Sequence, residues 1–241
     1  MSKSRIEWLR DPITGKQGFS INPVKGLCPV ACKDNDGKEY CYARRMYKRF
    51  KWNPEIREIL PGFLFEELRA IKKPSRIFWG STFELFHDSI PDLWRKDIFA
   101  MVGQFPQHTH IFLTKRPQNL LRWSPFSGNC WVGVSVTDRE AAHITNFYLP
   151  KVEARVKFIS FEPLLDDVMR YLYMRNLIEA CNWLIIGAQT HPNRQPAEKW
   201  VAEIIDVADE ARIPIFVKNN LKALPSNAFK DGKMRQEFPN V

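Results

Sequence analysis

Six short apolar runs, at residues 76–80, 109–114, 131–136, 156–161, 183–187 and 214–217, recur through the second two-thirds of the chain. Runs this short and this continuously apolar read as strands buried on both faces, as in a parallel sheet. Helix-length stretches separate them, at 91–104, 117–122, 138–147, 166–180 and 197–211. Upstream, residues 19–24 alternate as a first strand, 42–50 begin a first helix, and 61–72 read as a second with Leu64, Phe65, Leu68 and Ile71 on one face. Pro74 stops that helix. Strand and helix in alternation predict a parallel α/β protein. A full eight-unit barrel takes about 250 residues with compact loops. Seven strands and a long first loop in 241 residues therefore predict a partial (open) parallel β/α barrel of six or seven strand-helix units, incomplete on one side. A doubly wound sheet is the alternative, but no G-x-G-x-x-G turn follows the first strand. The expectation is one domain over residues 1–241, with an irregular tail at 219–241 that covers one end of the barrel or lies loose.

The loop after the first strand, residues 26–42, carries three of the five cysteines, Cys28, Cys32 and Cys41, spaced C-x3-C-x8-C. A disulfide uses two, leaves one over, and belongs in an oxidising compartment. A structural zinc ion wants four ligands and usually a C-x2-C hairpin, and His87 and His108 are far away in sequence. Three thiolates without a fourth suit an iron-sulfur cluster with one coordination site open. Three incidental buried thiols are the bland alternative; Cys130 and Cys181 are scattered singly, whereas these three share one polar loop.

Without the six residues Asp34 to Glu39 the loop reads C-P-V-A-C-K-Y-C-Y-A. In that form it resembles the radical S-adenosylmethionine signature C-x3-C-x-aromatic-C, and the ending Y-C-Y-A-R-R resembles the branch that contains spore photoproduct lyase. The segments F-W-G-S-T-F-E-L-F-H-D, P-Q-H-T-H-I-F-L-T-K-R-P, V-G-V-S-V-T-D, F-I-S-F-E-P-L-L and W-L-I-I-G-A-Q-T are similar, in the same order, to a phage-associated family of unknown function near that branch. The resemblance implies a partial barrel, a 4Fe-4S cluster on Cys28, Cys32 and Cys41, and S-adenosylmethionine as cofactor. It further implies reductive cleavage to a 5'-deoxyadenosyl radical, fed by an electron donor such as flavodoxin or ferredoxin. The inserted K-D-N-D-G-K-E departs from the signature, and is expected to bulge outward while the cysteines converge.

In strand-helix barrels the loops after the strands converge on one face. The polar residues there are Gly80, Ser81, Thr82, Lys115, Ser135, Glu162 and Gln189, with Lys218 at the last strand. By the resemblance, Gly80-Ser81-Thr82 face the cofactor's amino group, Lys115 its carboxylate and Ser135 its ribose. Glu162 and Gln189 bind cofactor or substrate, and Tyr40 and Tyr42, which flank Cys41, complete the cofactor-binding set. The bland alternatives are helix caps, solvated strand ends and a structural ion pair at Glu162. His87 and Asp88 are an acid-base pair or a loop cap; His108, His110 and His143 lack metal spacing and read as structural.

Lysine and arginine number 36 against 27 aspartate and glutamate, a net charge of +9. Arg44, Arg45, Lys48 and Arg49 follow the cysteine loop among aromatic residues. That mixture can contact phosphates and stack bases, so a nucleic acid or nucleotide is the expected substrate; a solvated helix face is the alternative. The chain has no apolar N-terminal run and nothing near the eighteen or so apolar residues of a membrane span. The expectation is a cytoplasmic protein with no membrane partner. The competing function is a non-catalytic nucleic-acid-binding protein with a structural iron-sulfur or zinc site.

Overall fold

The structure, a computed structural model, describes residues 2–240; Met1 and Val241, the ends of the expected domain, lie outside the described residues. Seven strands form its frame: β1 (Phe19–Ile21), β2 (Arg76–Trp79), β3 (Thr109–Thr114), β4 (Cys130–Ser135), β5 (Val156–Phe161), β6 (Trp183–Ile186) and β7 (Ile215–Val217). They lie in sequence order and every neighbouring pair is parallel. The sheet is an open half-barrel flanked by helices, with the two-residue strand Ser2–Lys3 antiparallel to β1 at one edge. The helices are α1 (Tyr42–Phe50), α2 (Pro61–Arg69), α3 (Asp92–Gln104), α4 (Arg139–Tyr148), α5 (Met174–Glu179) and α6 (Glu198–Glu210). None is long and apolar enough to cross a membrane among the described residues.

Alternate side chains of each strand point to opposite faces, and the two faces form two separate cores. Outward, Trp79, Phe112, Val132, Ile159, Leu184 and Ile215 pack with Leu64 and Leu68 of α2, Val102 of α3 and Ile204 of α6. Inward, Phe78, Ile111, Trp131, Phe158, Trp183, Ile185 and Phe216 fill the barrel with Trp8 and Leu9. This inner core sits at the N-terminal ends of the strands and forms a floor. Gly133 permits the close packing above it, because a Cβ there would fall 2.3 Å from the Phe158 ring.

The open side is not empty. Glu7 accepts a hydrogen bond from the Asn219 N–H just after β7 (2.9 Å), and Arg10 donates to Gln236 (2.9 Å). Arg76 of β2 in turn donates to the Arg10 carbonyl (3.0 Å). The N-terminal segment thus links the two sides of the half-barrel where a closing strand would run. The tail also takes part: Val217 N–H donates to Arg235 O and Glu237 N–H to Ile215 O (both 2.8 Å), while Phe238 stacks on Trp183. Arg76 lies between the Trp131 and Phe238 rings, 4.7 and 4.5 Å from their centroids. Its burial there pulls the guanidinium pKa down to about 10.

Three elements differ from the sequence expectation. The first strand stops at Ile21, because Pro23 has no N–H for the ladder and Asn22 instead accepts from the Thr82 N–H (3.0 Å). The expected helix at 117–122 is two separate 3-10 turns, Pro117–Asn119 and Leu121–Trp123. The stretch 166–180 is a 3-10 turn, Val168–Arg170, followed by the short α5.

Candidate functional site

The cysteine loop leaves the half-barrel after β1 and returns as α1. Gly26 N–H donates to the Tyr47 hydroxyl (2.8 Å) and Leu27 N–H to Pro54 O (2.9 Å), which ties the loop's start to the far end of α1. The inserted residues fold as a hairpin of their own. Lys33 and Glu39 form an antiparallel bridge, Asp34 N–H donates to Lys38 O (2.9 Å), and Tyr40 N–H donates to Cys32 O (3.1 Å). The hairpin stem therefore brings Cys32 beside Tyr40 and Cys41, as though the six residues were absent. Its far end is docked: Asn35 donates to Leu165 O (2.9 Å) and Arg194 to Asp36 (2.9 Å).

Cys41 occupies the N-cap position of α1. Its thiol pKa is pulled down to about 6, first by hydrogen bonding with the Cys32 thiol, then by the N–H groups of Arg44 and Ala43 and the charge of Arg44. A helix N-terminus favours a thiolate in this way. Cys32, which keeps the proton of the pair, is raised by that hydrogen bond and by burial. Cys28 is buried, and burial raises it as well, opposed by the N–H of Glu84, 3.4 Å from its sulfur. The Tyr40 hydroxyl is raised by burial and by the nearby Cys32. Among the described residues, no group of three or more His, Cys, Asp or Glu side chains is arranged to hold a metal ion.

A cavity of about 390 Å3 opens between this loop and the C-terminal ends of the strands. That volume is within the range of about 300–1,000 Å3 usual for cofactor-sized ligands. Cys28, Cys32, Cys41, Tyr40 and Tyr42 line one side. Gly80, Ser81, Thr82, Lys115, Ser135, Glu162 and Gln189 line the rest, so the structure brings every expected cofactor and metal residue to one space. Gly80 makes the turn out of β2 at φ +75°, and a Cβ there would lie 2.7 Å from Leu85. The end of β3 is held by Glu84, a buried carboxylate that accepts from Thr114 Oγ1 (2.6 Å) and from the Lys115 N–H (2.7 Å).

Several side chains have partners that spacing alone did not reveal. Glu162 pairs with Lys218 of the last strand end. Gln189 donates to Asp34 of the hairpin (3.4 Å) and to Pro192 O (3.0 Å). Arg44, half-buried, donates to Cys28 O (2.8 Å) and so braces the loop. Lys48 and Arg49 are exposed, Lys48 with an ion pair to Glu39 at 3.3 Å. Arg45 is half-buried. His87 bonds Ser89 within its own loop, and His110 is locked in the core, each in the structural role.

Lys218, expected at the last strand end, also lines the cavity, as do Ser160 and Trp8, which were not among the expected site residues. Ser160 lies beside Ser135 in the β4–β5 register, a pairing that follows once the strands are aligned. Trp8 has no signal in sequence, since it comes from a non-repeating segment. Three polar atoms of the lining are buried without a partner: Ser160 Oγ, Trp8 Nε1 and Gln189 Oε1. Buried polar atoms are nearly always satisfied, so a lining with three unsatisfied ones fits a polar ligand. The donor set, three thiols beside hydroxyls, a lysine and a glycine turn, could hold a metal cluster together with an amino-acid-like ligand.

Residues 3–237 match a family described as protein of unknown function (DUF5131). No curated protein and no solved structure matches the chain.

Proposed function

We propose that this chain, which belongs to that family of unknown function, is a radical S-adenosylmethionine enzyme acting on a nucleic acid base or nucleotide. The observation that carries the reading is the hairpin at Asp34 to Glu39. It removes the one departure from the three-cysteine signature by pairing Cys32 with Tyr40, and it does so at the mouth of a half-barrel beside a cofactor-sized cavity.

Cys28, Cys32 and Cys41 are the residues to hold a 4Fe-4S cluster. A cubane would take one thiolate on each of three irons and leave the fourth iron open. Such a cluster, reduced by a flavodoxin- or ferredoxin-like donor, would supply the electron for reductive cleavage of S-adenosylmethionine and so the means to take a hydrogen atom from substrate. The chain's own part is placement. Lys115 would offer a cation to the cofactor carboxylate, Ser81 and Thr82 would offer hydroxyls to its amino group, and Ser135 and Ser160 would offer hydroxyls to the ribose. Tyr40, Phe78 and Trp8 give apolar walls that keep water from a reactive species. The base or nucleotide substrate is supported by the charge of +9 and by the cations of α1 beside the site.

The test is elemental analysis after anaerobic reconstitution. About four irons and four sulfides per chain are expected, lost in Cys28→Ala, Cys32→Ala or Cys41→Ala and kept in Cys130→Ala and Cys181→Ala. Stoichiometric zinc with no visible absorption would instead support a structural zinc site.

A further inference from the structure

The far end of α1 carries a feature that the cavity does not use. Phe50 and Trp52 are each 48 % exposed, yet their rings stack on each other with centroids 5.4 Å apart and planes at 22°. Large aromatic rings are ordinarily among the most buried surfaces of a fold. The backbone accepts strain to make this shelf: Lys51, between the two rings, takes a left-handed conformation at φ 49°, where glycine is the usual residue. That turn lays Trp52 back on the helix, its N–H donating to Tyr47 O (3.3 Å) and its ring edge-on to the Tyr47 ring at 5.3 Å. The Arg49 guanidinium lies 5.3 Å from the centre of the Phe50 ring.

Charge around the shelf is one-sided. From Tyr42 to Arg57 the chain has six cations against the single acid Glu55; Arg44 is taken up by Cys28 O and Lys48 pairs with Glu39, and Arg45, Arg49, Lys51 and Arg57 remain. Helical repeat sets Tyr42, Met46, Arg49 and Phe50 along one face of α1. Tyr42 is at the cavity, so this face runs from the cavity to the shelf. At 1.5 Å per residue the run from Tyr42 to Phe50 is about 12 Å, or three to four nucleotides at roughly 3.4 Å per stacked nucleotide. A ring shelf can stack a base only if the base face is free, and a duplex hides those faces in its own stack.

We propose that this face binds a single-stranded nucleic acid, with bases stacked on Phe50 and Trp52, phosphates against Arg49 and Lys51, and the strand led along α1 to the cavity at Tyr42. The proposal deepens the functional reading above, and rests on it for what happens to the base that arrives there.

Fluorescence anisotropy of a labelled twelve-residue single strand and of its duplex, titrated with the full chain, tests this. The single strand is expected to bind more tightly than the duplex at equal salt. Trp52→Ala should weaken strand binding by about tenfold, the loss of one base stack. The double variant Arg49→Ala/Lys51→Ala should lower the log-log salt slope by about 1.4, from roughly 0.7 per phosphate on a single strand. All three side chains are at the surface, and thermal melting of each variant checks the fold. Duplex preference with Trp52→Ala silent, or no saturable binding of either probe at low salt, overturns the proposal. 5'-Deoxyadenosine formation is measured on the same preparations without nucleic acid. A protein that makes it but ignores the strand loses only this inference, and one that holds the strand but never makes it loses only the functional reading.

Discussion

Ser160 poses the sharpest question at the scale of a single residue. Its hydroxyl is fully buried on the inner face of β5 and has no partner, and an unmet buried polar group costs roughly 1–3 kcal/mol. A fold that tolerates this cost without function would gain from losing the oxygen. Ser160→Ala is therefore expected to stabilise the ligand-free protein by about 1 kcal/mol while weakening adenosylmethionine binding by a similar amount, the value of a neutral hydrogen bond. Lys115→Ala makes the complementary case: stability near wild type, and binding weaker by about 1.5–3 kcal/mol, as for a hydrogen bond to a charged group. Calorimetric melting and equilibrium binding on both variants read the two quantities apart. A destabilised Ser160→Ala would mean that its hydroxyl serves the fold, and an unchanged affinity in Lys115→Ala would mean that this lysine faces something else.

At the scale of elements, β2 and β3 are joined by more than their ladder. Trp79 Nε1–H donates to His110 Nδ1 (2.9 Å), which sets the tautomer so that His110 Nε2–H donates to Phe105 O (3.1 Å). Burial pulls the His110 pKa down to about 4, so the ring is neutral in the fold and charges only on unfolding. Its contribution is present above the ordinary value of 6.5 and is lost as pH falls through about 4. At 1.36 kcal/mol per pKa unit, that amounts to about 3 kcal/mol at most. Urea unfolding between pH 7 and pH 4.5 should show the decline, and His110→Asn should flatten it; parallel curves for the two proteins would place the titration elsewhere. The same strands explain what sequence reveals. Strands covered on both faces, such as Val156–Phe161, write themselves as apolar runs, and the exact span of α1 follows from the residues after Cys41. Single turns do not: Pro117–Asn119 and Leu121–Trp123 have helical composition, but Asn119 donates to Phe86 O and Asp88 and holds the chain in a bend. The site was legible where it follows strand ends, at Gly80, Lys115 and Ser135. It was illegible where partners come from distant segments, as Lys218 to Glu162, Asp34 to Gln189, Trp8 beneath the cavity, and Arg44 turned toward Cys28.

The whole molecule is a half-barrel with its polar end prepared and its apolar end sealed. The floor of Trp8, Phe158, Trp183 and Phe238 and the bridge from Glu7 to Asn219 fix the strands, and their C-terminal ends hold Gly80, Lys115, Ser135, Glu162 and Lys218 around one cavity. The cysteine loop covers that cavity, and its inserted hairpin is docked on Leu165, Gln189 and Arg194, so loop and barrel are tied at both sides. The basic face of α1 adjoins the cavity through Tyr42. Three thiols, a cofactor-sized space and unsatisfied polar atoms thus meet in one place, where the proposed function would put its catalytic centre. The direct measurement is anaerobic incubation of reconstituted protein with S-adenosylmethionine and dithionite, followed by chromatography of the products. 5'-Deoxyadenosine and methionine are expected in equal amounts from the wild type and not at all from Cys41→Ala. A wild type that carries its full complement of iron and sulfide, and binds S-adenosylmethionine, yet forms no 5'-deoxyadenosine would contradict the proposed function.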